Sequence, residues 1–243
     1  MSSSSQHVNP DSPFRFESVE RDEAPQFVLP LVIRLERAHV AEPPTRTDAL
    51  ETAARAVLTL LADERSSGEG EWAEAVRDWQ DARIRKVVRR ARGSEWRRAS
   101  ELPGVTVSGE TAEVRVFPPV PLDGWPKELV KLQVSGTDLE QPEPPAPVGA
   151  DTPVLWMSPA LEMSAGKAMA QAGHGAQLAW WELKPPQREA WAAAGFPLAV
   201  RTPSAAEWER LTRSGLPLVR DAGFTEIAAG SSTVVADHPD LRG

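Results

Sequence analysis

The sequence contains no cysteine, so neither a disulfide framework nor a zinc site built on thiolates can form. That absence is compatible with a reducing compartment. No apolar run approaches the roughly 18 residues that a membrane-spanning helix needs. The first residues, Met-Ser-Ser-Ser-Ser, lack the basic and apolar regions of a signal peptide. We therefore expect no membrane partner and a cytoplasmic location.

The chain does contain enough apolar residues for a globular body, since 41% of its 243 residues are hydrophobic. Its net charge of −8 argues by itself against nucleic-acid binding, because phosphate neutralisation dominates such affinity. One stretch departs from this acidic background and contains a single acid, Glu95. This basic cluster consists of Arg83, Arg85, Lys86, Arg89, Arg90, Arg92, Arg97 and Arg98. It is either a solvated face or an anion-binding surface of the kind that binds a phosphate backbone.

Hydrophobic periodicity predicts strands that alternate with helices, which is typical of a layered α/β fold. The predicted strands cover residues 27–35, 86–90, 112–117, 154–157, 198–201, 218–220 and 233–235. The predicted helices cover residues 48–61, 71–83, 95–100, 166–181, 185–194 and 204–213, and a short helix at 127–132 leads into a further strand. Pro185-Pro186 starts one helix and Gly195 ends it. The spacing of Ser204 and Glu207 predicts a capping box.

Composition divides the chain into four parts. Residues 1–24 are rich in Ser, Pro and charge without periodicity, so we predict a disordered tail. Residues 141–150 are proline-rich, stiff and extended, which predicts a linker. The linker separates an N-terminal unit (residues 25–140) from a C-terminal unit (residues 151–243).

The two units resemble each other. Trp79 and Trp96 have the same separation as Trp191 and Trp208. At the same offset, Val, Arg, Glu and Arg recur at 88 and 200, 89 and 201, 95 and 207, and 98 and 210. The alternative is chance similarity between two α/β segments. We predict a degenerate tandem repeat of two small α/β units with mixed sheets flanked by helices, packed as a monomeric pseudo-dimer.

Two segments of the C-terminal unit carry chemistry. The first is Met-Ser-Ala-Gly-Lys-Ala-Met-Ala-Gln-Ala-Gly-His-Gly-Ala at 163–176, and the second is Asp-Ala-Gly-Phe-Thr-Glu-Ile-Ala-Ala-Gly-Ser-Ser-Thr-Val-Val at 221–235. In this order, they resemble the Gly-Lys-x-x-Ala-Gln-x-x-His and Asp-Ala-Gly-x-Thr-x-Ile-x-x-Gly-x-x-Thr-Val patterns of type II peptidyl-tRNA hydrolases. The resemblance extends from about Val154 to Ala236. It implies hydrolysis of the ester bond of peptidyl-tRNA, with Lys167, Asp221 and Thr225 in the catalytic site.

The residues themselves agree in part with this assignment. Lys167 falls in the first turn of a predicted helix, where a cation opposes the helix dipole but is well placed to meet an anion. Asp221 follows an apolar strand, where catalytic groups of α/β sheets often stand. A solvated lysine, a turn-capping aspartate and a structural threonine are the alternatives.

Gly166, Gln171 and His174 are secondary candidates for the site. Gln171 and His174 share the helix face of Lys167, four and seven residues further on. A lone histidine on an alanine-rich helix more often packs against a neighbour than binds a ligand. No second histidine has a metal-ligand spacing, so we expect no metal and no cofactor.

The N-terminal unit lacks both motifs, and Ser-Gly-Glu at 108–110 stands where Asp-Ala-Gly would be. We expect this unit to be inactive. Family members continue beyond the last strand with a helix and a closing strand, whereas this sequence stops at Gly243. Residues 125–136 resemble that element, so we expect either a smaller second sheet or support from the N-terminal unit. The competing functions are a non-catalytic tRNA- or ribosome-associated RNA-binding protein and a hydrolase with another ester or amide substrate.

Overall fold

A computed structural model describes residues 26–223 and 226–242 of the chain. It shows a mixed α/β arrangement with one sheet in each unit and helices flanking both. The predicted disordered tail lies outside the described residues. Within the described ranges, no helix is both long and apolar enough to cross a membrane.

The sheet of the N-terminal unit is built on β1, whose long apolar run is buried from Val28 to Ile33. The strand order is β2-β1-β4-β3, and β5 also pairs with β1. Pro30 fits in this central strand because it lies between the stretch paired with β5 and the stretch paired with β4. The elements of this unit are β1 (Phe27–Arg34), α1 (Arg46–Ala62), a 3-10 turn (Glu64–Ser66), α2 (Ala73–Asp81), β2 (Lys86–Ala91), α3 (Gly93–Ser100), β3 (Val105–Ser108), β4 (Glu113–Val116), β5 (Val120–Pro121) and α4 (Lys127–Val130).

The sheet of the C-terminal unit has four strands in the order β7-β6-β9-β8. Its elements are β6 (Val154–Met157), α5 (Ala165–Glu182), α6 (Pro185–Ala193), β7 (Ala199–Arg201), α7 (Ala205–Leu211), β8 (Leu218–Arg220), β9 (Ser232–Asp237) and a 3-10 turn (Pro239–Leu241). If β5 is left aside, the first strand of each sheet in chain order pairs in parallel with the second and antiparallel with the fourth, and the third strand pairs antiparallel with the fourth. The two units therefore share one strand connectivity.

Two tryptophans occupy corresponding positions in the two units. The indole N–H of Trp79 in α2 donates to the carbonyl oxygen of Arg85 at 2.8 Å. The indole N–H of Trp191 in α6 donates to the carbonyl oxygen of Pro197 at 3.0 Å. In each case the acceptor stands six residues after the tryptophan, and the bond fixes the turn between a helix and the following strand.

The two units share one hydrophobic core. Helices α1 and α5 pack on each other, and each also contacts strands of both sheets. The contact is close at Gly173, where an added Cβ would come within 3.0 Å of Cγ2 of Val57. Residues of both units, including Leu29 and Val234, belong to a single buried cluster. A unit taken alone would expose one face of its central helix to water.

The segment predicted as a linker contains no helix or strand, but it makes hydrogen bonds to both units. Gln141 accepts a hydrogen bond from the backbone N–H of Thr47 in the N-terminal unit at 2.9 Å. Arg201 of the C-terminal unit donates to the carbonyl oxygen of Ala146 at 2.8 Å. The segment therefore binds both units as it passes between them.

Several local predictions differ from the structure. Strands β3 and β5 were not predicted, because four and two residues are too short for a clear alternation. In the described stretch between α4 and the predicted linker, the expected strand does not form. One isolated bridge joins Gln133 to Arg90 instead. The predicted capping box is half formed, since Ser204 accepts from the backbone N–H of Glu207 but the reciprocal bond is absent among the described residues.

Candidate active site

The first turn of α5 carries Lys167. Ser164 caps the helix, and its hydroxyl accepts a hydrogen bond from the backbone N–H of Lys167 at 3.3 Å. The helix can lie close to the sheet behind it because it is rich in Ala and Gly. At Gly175 an added Cβ would come within 2.7 Å of Cγ1 of Val234 in β9. The small residues therefore determine how closely α5 packs on the sheet, and with it the position of Lys167.

Asp221 directly follows β8 and is held by its own turn. Its backbone N–H donates to the carbonyl oxygen of Ser231 at 2.9 Å, and its carbonyl oxygen accepts from the N–H of Gly230 at 2.7 Å. Its carboxylate Oδ1 accepts from the backbone N–H of Gly223 at 2.8 Å. Gly223 has a φ of 79°, in the left-handed region that favours glycine. The turn thus fixes both the backbone and the carboxylate.

Lys167 and Asp221 form an ion pair with 2.5 Å between Nζ and Oδ2. The Lys167 side chain is 13% exposed and the Asp221 side chain 6%. The same Oδ2 accepts a hydrogen bond from Nε2 of Gln171 at 2.8 Å. Loss of one partner from such a shielded pair typically costs about 3–5 kcal/mol of stability. The structure brings together these three predicted residues, and Gly166 lies beside them as the buried residue before Lys167.

Thr233 extends this network, although it was not predicted as a site residue. The Thr233 hydroxyl is completely buried and donates to Oε1 of Gln171 at 2.5 Å. That bond orients the Gln171 amide so that its NH2 group faces Asp221. The available signal was the threonine in the second motif, but a threonine in a strand is usually a β-forming residue.

Glu226 also contacts the start of α5, although it was not predicted as a site residue. Its carboxylate accepts from the backbone N–H of Ser164 at 2.9 Å and from the Ser164 hydroxyl at 2.7 Å. The loop after Asp221 is thereby joined to the start of α5. Thr225 lies outside the described residues, so its predicted role in the site stays a prediction.

His174 lies on the same helix but contacts the N-terminal unit. Its Nδ1 is 3.2 Å from Nζ of Lys86, which also donates to Oε1 of Gln177 at 2.5 Å and to the carbonyl oxygen of Ile84 at 3.3 Å. Burial lowers the pKa of Lys86 well below its ordinary value and does the same to the pKa of His174. Both groups therefore lose their charge more readily than they would in water.

The basic cluster does not form a single face. Lys86 is buried, which corrects the prediction that it contacts a phosphate backbone. Arg89 makes contacts within the protein: it donates to the carbonyl oxygens of Val130 and Leu132. Its guanidinium carbon also lies 4.4 Å from the ring centre of Trp125. Arg85 and Arg90 are partly exposed, and four residues are well exposed: Arg83, Arg92, Arg97 and Arg98.

The corresponding corner of the N-terminal unit has a different chemistry. Asp48 stands three residues after the cap Thr45 of α1, as Lys167 stands three residues after Ser164. Its carboxylate accepts from the backbone N–H groups of Thr111 and Ala112 at 2.6 and 2.7 Å. Burial alone would raise the pKa of Asp48, but these bonds outweigh it and lower the pKa. At Gly109 an added Cβ would come within 2.3 Å of Oδ1 of Asp48. This corner is closed and has no lysine–aspartate pair.

The corner at Lys167 offers a carboxylate and an ammonium group held side by side. Such a pair can orient a water molecule and stabilise negative charge that develops on an adjacent oxygen. Among the described residues, no group of three or more His, Asp or Glu side chains could hold a metal ion. The fold and the site thus define an α/β protein with a lysine–aspartate site that is suited to acid–base or hydrolytic chemistry.

The C-terminal part of the chain matches a known family. The family model described as peptidyl-tRNA hydrolase PTH2 matches residues 153–242. This range includes every residue of the Lys167–Asp221 network and leaves out the N-terminal unit. The resemblance predicted from the two motifs is thereby confirmed for the C-terminal unit. No solved structure matches the chain at a significant level.

Proposed function

We propose that the protein hydrolyses the ester bond of peptidyl-tRNA and thereby recycles tRNA from stalled translation. The Lys167–Asp221 pair carries the proposal. Its two residues lie in the two motifs that resemble the family, within the range that matches the PTH2 family model. The non-catalytic alternative is not favoured by the family match, and the described residues around Asp221 form a connected hydrogen-bond network.

In the proposed reaction a water molecule attacks the carbonyl carbon of the ester. Asp221 orients this water and accepts its proton as the new C–O bond forms. Lys167 stabilises the oxyanion that develops on the carbonyl oxygen, or alternatively the phosphate of the terminal nucleotide. The bond to the ribose oxygen then breaks, and that oxygen takes up a proton as it leaves. Thr225 would hold the water or the oxyanion in place, as the motif implies.

The network around Asp221 suits this task. Three donors, on Lys167, Gln171 and Gly223, approach its two carboxylate oxygens. These donors fix its orientation, which matters because catalysis depends on a preorganised geometry.

The N-terminal unit would be a degenerate copy of the domain that now serves as a scaffold. Its strand connectivity and the Trp79 and Trp191 hydrogen bonds support a duplication. The packing of α1 on α5 supports a pseudo-dimer within one chain. The exposed arginines of the basic cluster would position tRNA through its phosphates without reading its sequence.

The test is release of N-blocked amino acid from acyl-tRNA by the wild type, Lys167→Ala and Asp221→Ala. Each substitution should reduce turnover by at least about a hundredfold, because each removes a group that acts on the reacting atoms. Lys131→Ala and Asp151→Ala are matched controls, since both residues are exposed and remote in sequence from the two motifs. Circular dichroism of every variant separates lost chemistry from lost folding.

Near-wild-type turnover in both site variants would remove this mechanism. No turnover by the wild type at low salt and with excess protein, together with retained tRNA binding, would favour the RNA-binding alternative. Turnover of other esters but not of acyl-tRNA would favour a different substrate.

A further inference from the structure

One face of β2 in the N-terminal unit runs along the catalytic helix α5. Successive side chains of a strand point to opposite sides, so Lys86, Val88 and Arg90 share a face. Lys86 contacts α5 at His174 and Gln177. Val88 lies further towards the start of α5, since its Cβ is 3.8 Å from the position that a Cβ on Gly166 would take. The strand therefore proceeds from the middle of α5 towards the turn that carries Lys167.

Arg90 is the next residue on this face. Its Nε donates to the carbonyl oxygen of Ser135 at 3.3 Å, and its Nη2 donates to the side-chain oxygen of Gln133. The residue between these two partners, Val134, has its carbonyl oxygen 3.8 Å from the Cβ position at Gly166. The guanidinium group thus rests on a segment that touches the residue before Lys167.

The charge of Arg90 is not neutralised. Both of its partners are neutral, and no ion pair includes it in the part of the chain that the structure describes. Only two of its five N–H groups are used, so three remain for a ligand. The charge of Lys167, by contrast, is balanced by Asp221. Arg89, the neighbour in sequence, points to the other face and is occupied by the carbonyl oxygens of α4 and the residues after it.

We propose that Arg90 binds a phosphate of the last nucleotides of the substrate, so that the N-terminal unit completes the substrate site of the C-terminal unit. This inference rests on the proposed function and selects one residue from the basic cluster. A guanidinium group suits the task because it can donate two parallel hydrogen bonds to a phosphate. The phosphates nearest the scissile ester are those that a residue beside the Lys167 turn can reach.

The test compares two substrates, of which only the second contains phosphates. One is an N-acetylaminoacyl ester of adenosine, and the other is the same ester on the trinucleotide CCA. Arg90→Gln should raise KM for the trinucleotide ester about tenfold, which is the usual effect of one lost charged hydrogen bond. It should leave kcat for both esters and KM for the adenosine ester within about twofold. Arg77→Gln, a change at an exposed arginine of α2, should alter neither substrate.

Two further variants separate binding from structure. Arg90→Lys keeps the positive charge but loses the two parallel donors of the guanidinium group. Its KM for the trinucleotide ester should therefore fall between those of the wild type and Arg90→Gln. Gln133→Ala removes the neutral partner and keeps the charge, so its KM should stay within about twofold of the wild type. If Gln133→Ala reproduces the effect of Arg90→Gln, Arg90 only holds residues 133–135 in place and the proposal is wrong.

An equal effect of Arg90→Gln on both esters, or no effect on either, would also overturn the proposal. If the wild type hydrolyses neither ester, the proposed function fails, but the binding role can still be measured. The probe is then the trinucleotide with a non-hydrolysable amide in place of the ester. Its Kd, measured by fluorescence anisotropy, should rise about tenfold in Arg90→Gln and not in Arg77→Gln. An unchanged Kd in both variants would reject the role of Arg90.

Discussion

At the scale of single residues, the Lys167–Asp221 pair depends on buried side chains around it. Thr233 orients Gln171, and Gln171 in turn donates to Asp221. Each member of this relay is buried, so each unmade hydrogen bond carries the full cost of desolvation. The position of the Asp221 carboxylate therefore depends on Thr233, which acts on it only through Gln171.

Thr233→Val should weaken catalysis by about tenfold to a hundredfold, because the Gln171 amide loses its orientation and the carboxylate shifts. It should also lower stability by about 1–3 kcal/mol, since Oε1 of Gln171 loses its donor in a buried place. Thr233→Ser keeps the hydroxyl and is the matched control, expected to restore most of the turnover. Steady-state kinetics and urea titration measure the two effects. Wild-type kinetics in Thr233→Val would show that the relay has no role in catalysis.

Lys86 makes stability depend on pH. Burial lowers its pKa well below 10.5, so below that pH the unfolded chain binds a proton that the native state binds less readily. The free energy of unfolding should therefore rise with pH towards 10.5, by at most about 1.4 kcal/mol per pH unit from this group. Lys86→Met should remove this slope between pH 8 and pH 9.5, roughly the range in which an ordinary lysine stays protonated. Parallel slopes in urea titrations of both proteins would show that Lys86 stays charged in the native state.

At the scale of elements, α5 is shaped to fit between its neighbours. Gly175 faces β9 and Gly173 faces α1, where an added side chain would press against Val234 or Val57. The glycines cost helix propensity of roughly 1 kcal/mol each, which close packing offsets. The same closeness places Lys167 within reach of Asp221.

Gly175→Ala should therefore destabilise the protein by about 1–3 kcal/mol, although the same change on an exposed helix would stabilise it by about 1 kcal/mol. The added Cβ would approach Cγ1 of Val234 to 2.7 Å. Combining Gly175→Ala with Val234→Ala should cost less than the sum of the two single changes, because the second removes the colliding atom. Thermal or urea unfolding of the four proteins in this cycle gives the coupling. Strict additivity would mean that the helix shifts away instead.

At the scale of the whole molecule, the units are bound together by polar contacts as well as by the shared core. The carboxylate of Glu51 in α1 accepts from the backbone N–H of Val200 at 3.0 Å and from the Arg201 guanidinium at 2.9 Å. Arg46 donates to the carbonyl oxygen of Met163, just before the cap of α5. The start of the catalytic helix is thus held from the N-terminal unit.

We expect the described body to unfold in a single cooperative transition, because neither unit buries its central helix alone. Tryptophan fluorescence and far-UV circular dichroism should give coincident urea curves. Glu51→Ala should lower the midpoint and keep the curves coincident, with Glu74→Ala, at an exposed position of α2, as control. Two separate transitions in the wild type would show that the units are independent domains.

The sequence by itself determined the elements whose signals are local. Pro185 stands at the first turn of α6, and Gly195, with a φ of 78°, follows its end, as predicted. The contiguous apolar run of β1 and the cap at Ser164 are equally local. The placement of Lys167 and Asp221 in one site was expected only from the resemblance of the two motifs, since residues 54 apart in sequence carry no spacing signal, and their ion pair was not predicted.

Only the tertiary structure decided which surroundings each residue meets. Arg89, Arg90 and Lys86 are alike in sequence, yet one holds a loop, one keeps a free charge and one is buried against α5. The relay through Thr233 and the closed corner at Asp48 also depend on contacts between distant elements. Strand alternation fixes only which residues share a face; which partner covers that face follows from the packing of the whole chain.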